Sequence, residues 1–216
     1  MIKIIPGILT NDPSVALEKL KVVDGLCERV SIDIFDERFG EYSSIDPTVF
    51  ANVDMTVKLD YQLMVFEPIN WVEKCISSNA DRIIGHVEYM GDQKGFITSV
   101  KEKGVGVGLG LKLGTELEKI DKEVLGHLDL ILLMSHKTGL SGAAFEEDAY
   151  KKITQAIQTR VMGNYDYKIQ IDGGVNKEIA KKLQDMGVDE VSITSKIFTG
   201  NPAFNLNEIN TYLAQP

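Results

Sequence analysis

The sequence lacks the features that mark membrane, secreted and nucleic-acid-binding proteins. No apolar run approaches the roughly 20 residues that cross a bilayer, and the chain opens on a strand-like segment, residues 1–5, without the apolar region of a signal peptide. Positive charge is in deficit, with 23 lysines and arginines against 32 acidic residues and a formal charge of −9. We therefore expect a cytoplasmic protein with no general affinity for nucleic acid or membranes, which binds any anionic ligand locally.

Cysteine is scarce, and so are signs of an internal boundary. Cys27 and Cys75 are the only cysteines and do not form a C-x-x-C pair, which favours buried reduced thiols over a disulfide or a zinc site. The chain contains no Pro/Ser-rich linker, charge block or short internal repeat. Its 216 residues therefore predict one domain that spans 1–216.

What the sequence does contain is a regular alternation of β-rich and amphipathic helical segments. Helix signals include a cap region at 11–14 before the segment 15–20, and Asn176 before a segment that Gly187 closes. The expected strands lie at 2–6, 29–34, 58–65, 82–87, 105–110, 129–134, 167–171 and 190–194. Eight strands that alternate with helices predict an α/β fold of the (β/α)8 TIM-barrel class.

Two of these strands carry a carboxylate at their end. In the second strand Asp33 shares a face with Ser31, opposite a valine and two isoleucines; in the seventh, Asp172 shares a face with Gln170. An apolar outer face under helices and a mixed inner face that ends in a carboxylate is what a reactive barrel mouth requires. The alternative, that either aspartate only caps a turn, stays open at this point.

The glycine-rich segment 104–110 has two interpretations. A dinucleotide fingerprint needs glycines that open a helix, whereas here they alternate through a strand-like segment. With period two the glycines line one face, which favours a barrel strand that leaves interior room.

Seven short segments, in their order and spacing, carry the strongest signal. They are 5–9 (IPGIL), 31–36 (SIDIFD), 62–65 (QLMV), 86–88 (HVE), 132–134 (LLM), 172–175 (DGGV) and 194–195 (TS). With them the chain resembles the ribulose-phosphate 3-epimerase family over nearly its full length. The resemblance implies a TIM-barrel isomerase of carbohydrate metabolism, in the pentose phosphate route, that acts on ribulose 5-phosphate or a similar ketose phosphate.

The resemblance also implies roles for individual residues. In the family two aspartates on opposite sides of the substrate act as acid and base through a planar enediolate, and Asp33 and Asp172 match them. Inverting a stereocentre beside a carbonyl needs a proton removed from one face and delivered to the other. The implied phosphate site comprises Gly142, Gly173, Gly174, Thr194 and Ser195. The implied substrate pocket comprises Gly7, Gln62, Met64, His86, Met134 and Lys137.

The family's metal site is only half matched. The family holds its metal with two histidines and the two aspartates, whereas Ser31 and Gln62 stand at the histidine positions. A hydroxyl and an amide make a poor zinc site, and weakly held magnesium or manganese is the alternative. We therefore assign no metal ligand and no cofactor, and we expect another group to replace the several kcal/mol that a metal contributes to enediolate formation.

Three functions remain open on this basis. The first is a ketose-phosphate 3-epimerase that uses Asp33 and Asp172. The second is another sugar-phosphate isomerase or a lyase that uses Lys137, whose amine can stabilise an enolate or form a Schiff base. The third is a catalytically silent relative that binds a sugar phosphate. We rank the epimerase first because both aspartates are retained; the expected partner is a small phosphorylated sugar, and the resemblance also implies a homo-oligomer.

Overall fold

The computed structural model describes residues 1–39, 43–136 and 143–215, and its strands close into a barrel. The strands are β1 Lys3–Ile8, β2 Arg29–Phe35, β3 Lys58–Met64, β4 Ala80–His86, β5 Gly106–Leu111, β6 Leu130–Met134, β7 Lys168–Asp172 and β8 Glu190–Ile193. Each strand pairs in parallel with its neighbours along the chain, and β8 pairs with β1. The predicted TIM-barrel class and all the expected strands are confirmed.

Helices cover the outside of this barrel. The α-helices are α1 Pro13–Val23, α2 Val72–Ile76, α3 Gln93–Lys101, α4 Ala149–Gly163, α5 Lys177–Met186, α6 Ser195–Phe198 and α7 Pro202–Leu213. Short 3-10 helices occur at Pro47–Phe50, Pro68–Trp71, Val87–Tyr89, Leu117–Lys119 and Lys122–His127. Within the described ranges, the connections after β2 and β5 contain only such 3-10 turns, so the regular alternation predicted for the helices holds less strictly than that of the strands. None of the helices that can be described is long and apolar enough to span a membrane.

The expected helix ends are present because the local chemistry specifies them. The Asp12 carboxylate accepts hydrogen bonds from the first amides of α1, and the Asn176 side chain accepts one from the amide of Ile179. Gly187 closes α5 in the left-handed conformation, with φ 93°, which glycine adopts without steric cost.

The strands separate two apolar layers, as their alternation predicts. Val30, Ile32 and Ile34 are buried in the core beneath the helices. A smaller cluster lies inside the barrel and comprises Met64, Ile84, Leu130, Leu132 and Met134. The glycines of β5 face this interior, since a Cβ on Gly108 would lie 3.1 Å from both Ile84 and Leu130 side-chain atoms. The glycine-rich segment thus provides interior room, as expected, and does not open a helix.

A buried ionic cluster fills the barrel near the start of its strands. Arg82 of β4 donates to Asp60 of β3, to Glu190 Oε2 of β8 at 2.7 Å and to Gln170 Oε1 of β7 at 3.3 Å. Arg29 adds a second ion pair to Asp60. These buried carboxylates are therefore matched by cations, as stable burial of charge requires.

The two cysteines are free thiols, as predicted. Cys75 is a buried residue of α2, and Cys27 is partly buried. Burial raises the pKa of the Cys27 thiol to about 11, so it is protonated at neutral pH.

Candidate active site

Four polar side chains converge at the carboxyl ends of the strands, where barrel enzymes carry their chemistry. They come from different strands: Asp33 from β2, Gln62 from β3, His86 from β4 and Asp172 from β7. Gln62 and His86 are fully buried, and the two aspartates are 4% and 7% exposed. The structure thus brings together residues that are 139 positions apart at the extremes, 172 − 33.

The two aspartates share one buried environment but not the same partners. Burial raises the pKa of Asp33 well above its usual range, and the nearby charge of Asp172 raises it further. Burial also raises the pKa of Asp172, but a hydrogen bond from Gln62 and the electrostatic effect of two nearby histidines oppose this. Because two close carboxyl groups ionise unequally, this environment favours Asp33 as the protonated group and Asp172 as the ionised one.

Ser31 and Gln62 each place a hydrogen-bond donor against one aspartate. Ser31 Oγ donates to Asp33 Oδ1 at 3.3 Å, and Gln62 Nε2 donates to Asp172 Oδ2 at 3.2 Å. The same amide nitrogen lies 3.3 Å from His86 Nε2. In this arrangement the residues at the family's histidine positions act as donors to the aspartates.

The donor set does not fit zinc. Zinc prefers imidazole and thiolate, yet the imidazole nitrogen of His86 that faces the site is occupied by the Gln62 amide. Within residues 1–39, 43–136 and 143–215, no group of three or more His, Cys, Asp and Glu side chains is arranged to hold a metal ion. The chemistry considered below therefore uses only side chains of the protein.

Glu88 and Lys112 extend the site beyond the residues named from the sequence. His86 Nδ1 lies 3.4 Å from Glu88 Oε2, and Glu88 Oε1 accepts a hydrogen bond from the Lys112 amide at 2.6 Å. Burial disfavours the ionised carboxyl, but interactions with His86 and with the Lys112 amide outweigh it and lower the pKa of Glu88 to about 2. Lys112 directly follows β5, and Glu88 lies two residues after the end of β4. Their position at the carboxyl ends of the strands is the sequence signal that indicates them.

An aromatic side chain covers one part of the mouth. The ring of Phe39, which follows β2, meets the His86 ring edge-on with centroids 5.4 Å apart. Lys112 Nζ lies 3.8 Å from the centroid of the same ring. Phe39 also packs against the interior cluster that contains the predicted pocket residues Met64 and Met134. The mouth is thus narrower and more apolar above His86 than the sequence alone indicated.

Four of the five predicted phosphate residues follow the ends of β7 and β8. Gly173 and Gly174 adopt left-handed conformations, with φ 109° and 61°. A Cβ on Gly174 would lie 2.2 Å from the backbone nitrogen of Phe145, so this glycine permits a close approach of two chain segments. Thr194 is the N-cap of α6, and Ser195 is its first residue.

Gly7 of β1 leaves space beside Thr194. Two other residues that the sequence predicts for the site cannot be placed. A Cβ on Gly7 would lie 2.5 Å from Thr194 Oγ1, so only glycine leaves the threonine hydroxyl its position. Gly142 and Lys137 lie outside the described residues. Their predicted roles, in phosphate binding and in an alternative chemistry, stay predictions.

Comparison with known sequences gives one consistent result. A family model described as the Ribulose-phosphate 3 epimerase family matches residues 3–198. A ribulose-phosphate 3-epimerase of Bacillus subtilis (strain 168) is 30% identical over 202 residues, which are 92% of this chain and 93% of that protein. A ribulose-phosphate 3-epimerase of Chlamydia pneumoniae is 28% identical over 198 residues, 89% of this chain and 86% of the other.

Solved structures resemble the chain in fold. KGPDC from Streptococcus mutans, solved in complex with a pentose phosphate, superposes with a TM-score of 0.74 at 11% identity and covers 98% of this chain and 97% of its own. The 3-hexulose-6-phosphate synthase from Salmonella typhimurium gives a TM-score of 0.69 at 12% identity, with 98% of both chains covered. At these identities the likeness extends to the barrel architecture alone.

We predict that untagged protein purifies without stoichiometric zinc, because Ser31 and Gln62 replace imidazole ligands. Elemental analysis of the purified protein measures this. The double variant Ser31→His/Gln62→His is the matched control, since it restores two imidazoles beside two carboxylates and is expected to take up zinc. A full equivalent of zinc between Asp33 and Asp172 in the unmodified protein would contradict the prediction.

Proposed function

Since the chain belongs to the ribulose-phosphate 3-epimerase family, a family of isomerases, we propose that it is a sugar-phosphate 3-epimerase in which Asp33 and Asp172 carry the proton transfer. The observation that carries the proposal is the convergence of these two buried carboxyl groups at the barrel mouth, with environments that separate their protonation states. The substrate class is a ketose phosphate such as ribulose 5-phosphate.

The proposed reaction begins with the hydrogen on C3, which is acidic because C2 is a carbonyl carbon. The Asp172 carboxylate removes this proton from one face of the substrate, and the electron pair moves into an enediolate that spans C2 and C3. Asp33, which holds a proton, then delivers it to the opposite face of C3. Asp172 ends protonated and Asp33 ionised, so the pair exchanges protons with solvent or runs in reverse before the next turnover.

Ser31 and Gln62 stand at the positions that the family gives to two metal-ligating histidines. They supply hydrogen-bond donors within 3.3 Å of the two aspartates. Their hydrogens are directed at the aspartates and, for Gln62, also at His86, so these side chains act on the groups that transfer the proton and not on the enediolate oxygen.

The phosphate of the substrate is assigned to the ends of β7 and β8. Positions 173 and 174 follow β7, and positions 194 and 195 begin α6, where the first backbone amides lack partners within the helix. Gly173 and Gly174 have positive φ angles. Because glycine has no side chain, their backbone amides are left uncovered by any side chain of their own. A structural neighbour has been solved with a pentose phosphate, so this barrel architecture accommodates such a ligand.

We predict that Asp33→Asn and Asp172→Asn each abolish turnover of a ketose phosphate while leaving phosphate binding largely unchanged. Each carboxyl serves one face of the enediolate and neither reaches the proton of the other. The expected loss in kcat is at least about 10²- to 10⁴-fold, the usual scale for removing a positioned acid or base. Steady-state kinetics with ribulose 5-phosphate measures it.

Asp185→Asn is the control for this pair, because Asp185 is an exposed aspartate of α5. Protein that is active on a ketose phosphate and indifferent to both substitutions would contradict the proposed mechanism. Activity lost in Lys137→Ala, together with an adduct trapped by borohydride, would support the isomerase or lyase alternative instead. Substrate binding without turnover in any assay would identify a silent relative.

We predict that Ser195→Asp weakens binding of inorganic phosphate and of ketose phosphates, because it places a carboxylate at the start of α6 beside the anion. The expected loss is at least about tenfold in affinity, which corresponds to about 1.4 kcal/mol of repulsion. Calorimetric titration measures it. Asn201→Asp carries the same change in charge at the N-cap of α7 and is expected to leave affinity unchanged, since aspartate caps a helix as well as asparagine does. Equal effects of the two substitutions would contradict the assigned site.

A further inference from the structure

A line of polar contacts leads from the rim of the barrel to Asp172. The Lys112 amide donates to Glu88 Oε1 at 2.6 Å, and Glu88 Oε2 lies 3.4 Å from His86 Nδ1. His86 Nε2 lies 3.3 Å from Gln62 Nε2, which donates to Asp172 Oδ2 at 3.2 Å. The line is sequestered from solvent, since His86 and Gln62 are fully buried and the Glu88 side chain is 12% exposed.

At each contact along this line, the chemistry determines which atom donates the hydrogen and which atom accepts it. The Gln62 amide nitrogen carries two hydrogens. One goes to the Asp172 carboxylate, and the other has His86 Nε2 at 3.3 Å and the weaker acceptor Met64 Sδ at 3.7 Å as neighbours. That imidazole nitrogen must then carry a lone pair, which places the ring hydrogen on Nδ1. Nδ1 faces Glu88, an ionised carboxylate whose other oxygen is already an acceptor for the Lys112 amide. At 3.4 Å the two atoms are in electrostatic contact without a well-formed hydrogen bond, and the carboxylate favours a ring hydrogen on the nitrogen that faces it.

The reverse orientation of the amide is unfavourable. A flipped Gln62 would bring its carbonyl oxygen against the Asp172 carboxylate and remove the hydrogen bond between them. Leaving a buried acceptor without its donor costs about 1–3 kcal/mol, and two acceptors in contact add repulsion. The Asp172 carboxylate and a lone pair on His86 Nε2 therefore favour the same orientation of the Gln62 amide.

We propose that His86 and Glu88 are positioning residues of the site, which hold the Gln62 amide with its N–H directed at Asp172. The inference rests on the proposed epimerase and deepens it, because it says how a neutral donor is fixed at a position that the family gives to a metal ligand. His86 acts through Gln62, and Glu88 acts through the tautomer of His86. A donor that is already fixed on Asp172 favours the ionised carboxylate without reorganisation of the site when the substrate binds.

Glu88→Gln is the decisive substitution. Glutamine has nearly the same shape as glutamate, but it places an NH2 donor where the carboxylate places an acceptor against His86. The backbone amide of Lys112 is a fixed donor, so the new side chain turns its carbonyl oxygen towards Lys112 and its NH2 towards His86 Nδ1. His86 Nδ1 must then accept, which moves the ring hydrogen to Nε2. Nε2–H in turn opposes the Gln62 NH2 and favours the flipped amide, with its carbonyl against Asp172.

Nitrogen-15 NMR of the histidine rings in the full chain measures the tautomer directly. The chain contains three histidines, so single His→Gln variants assign every signal. We expect neutral His86 to carry its hydrogen on Nδ1 in the unmodified protein and on Nε2 in Glu88→Gln. A hydrogen on Nε2 in the unmodified protein, or an unchanged tautomer in Glu88→Gln, would overturn the inference. The measurement on the unmodified protein needs no variant, so it tests the inference even if Glu88→Gln folds poorly.

The kinetic consequence separates positioning from general stability. Glu88→Gln is expected to lower kcat by about ten- to a hundredfold, the effect of misplacing a reacting group, with KM for ribulose 5-phosphate little changed. His127→Gln, at the exposed end of the 3-10 helix Lys122–His127, is the control and should retain full activity. A switched tautomer with unaltered kcat would contradict the positioning role. An unmodified protein with the expected tautomer but no epimerase activity would instead support the contact line and overturn the proposed function.

Discussion

Two carboxyl groups that are buried within reach of each other cannot both ionise at low cost, and the barrel mouth is organised around this constraint. Burial and the charge of Asp172 raise the pKa of Asp33 well above its usual range, while the hydrogen bond from Gln62 favours the ionised form of Asp172. One acid and one base therefore coexist in a single site at the same pH. A reaction that removes a proton from one face of a carbon and supplies one to the other needs this combination.

The opposite end of the barrel shows what the same residue types do when cations accompany them. Asp60 and Glu190 are as deeply buried as the mouth aspartates, but Arg82 pairs with both and Arg29 with one. Those carboxylates are neutralised by fixed guanidinium groups and serve the closure of the sheet. At the mouth, the donors to the aspartates are a hydroxyl and an amide, which leave the carboxyl groups free to exchange protons. The barrel interior therefore contains two different clusters: ion pairs around Arg82 at one end, and carboxyl groups with neutral donors at the other.

The sequence predicted those parts of the molecule that depend on local pattern. Period-two alternation identified the strands and the inward faces of Asp33 and Asp172, and the cap residues at 12 and 176 lie where helix signals placed them. The sequence does not predict the cluster around Arg82, because its members lie on five strands and meet only when the sheet closes. The line from Glu88 to Gln62 was missed for the same reason, although His86 had been recognised as a pocket residue. The roles of Lys137 and Gly142 depend on a segment outside the described residues and stay predictions.

In the proposed reaction one carboxyl group removes the C3 hydrogen from one face of the substrate, and the other delivers a different hydrogen to the opposite face. Incubation of the unmodified protein with ribulose 5-phosphate in D2O, followed by NMR of the product, tests it most directly. The two-aspartate account predicts deuterium at the inverted C3, because the proton that Asp33 delivers originates from solvent. Inversion at C3 with the original hydrogen retained would contradict it.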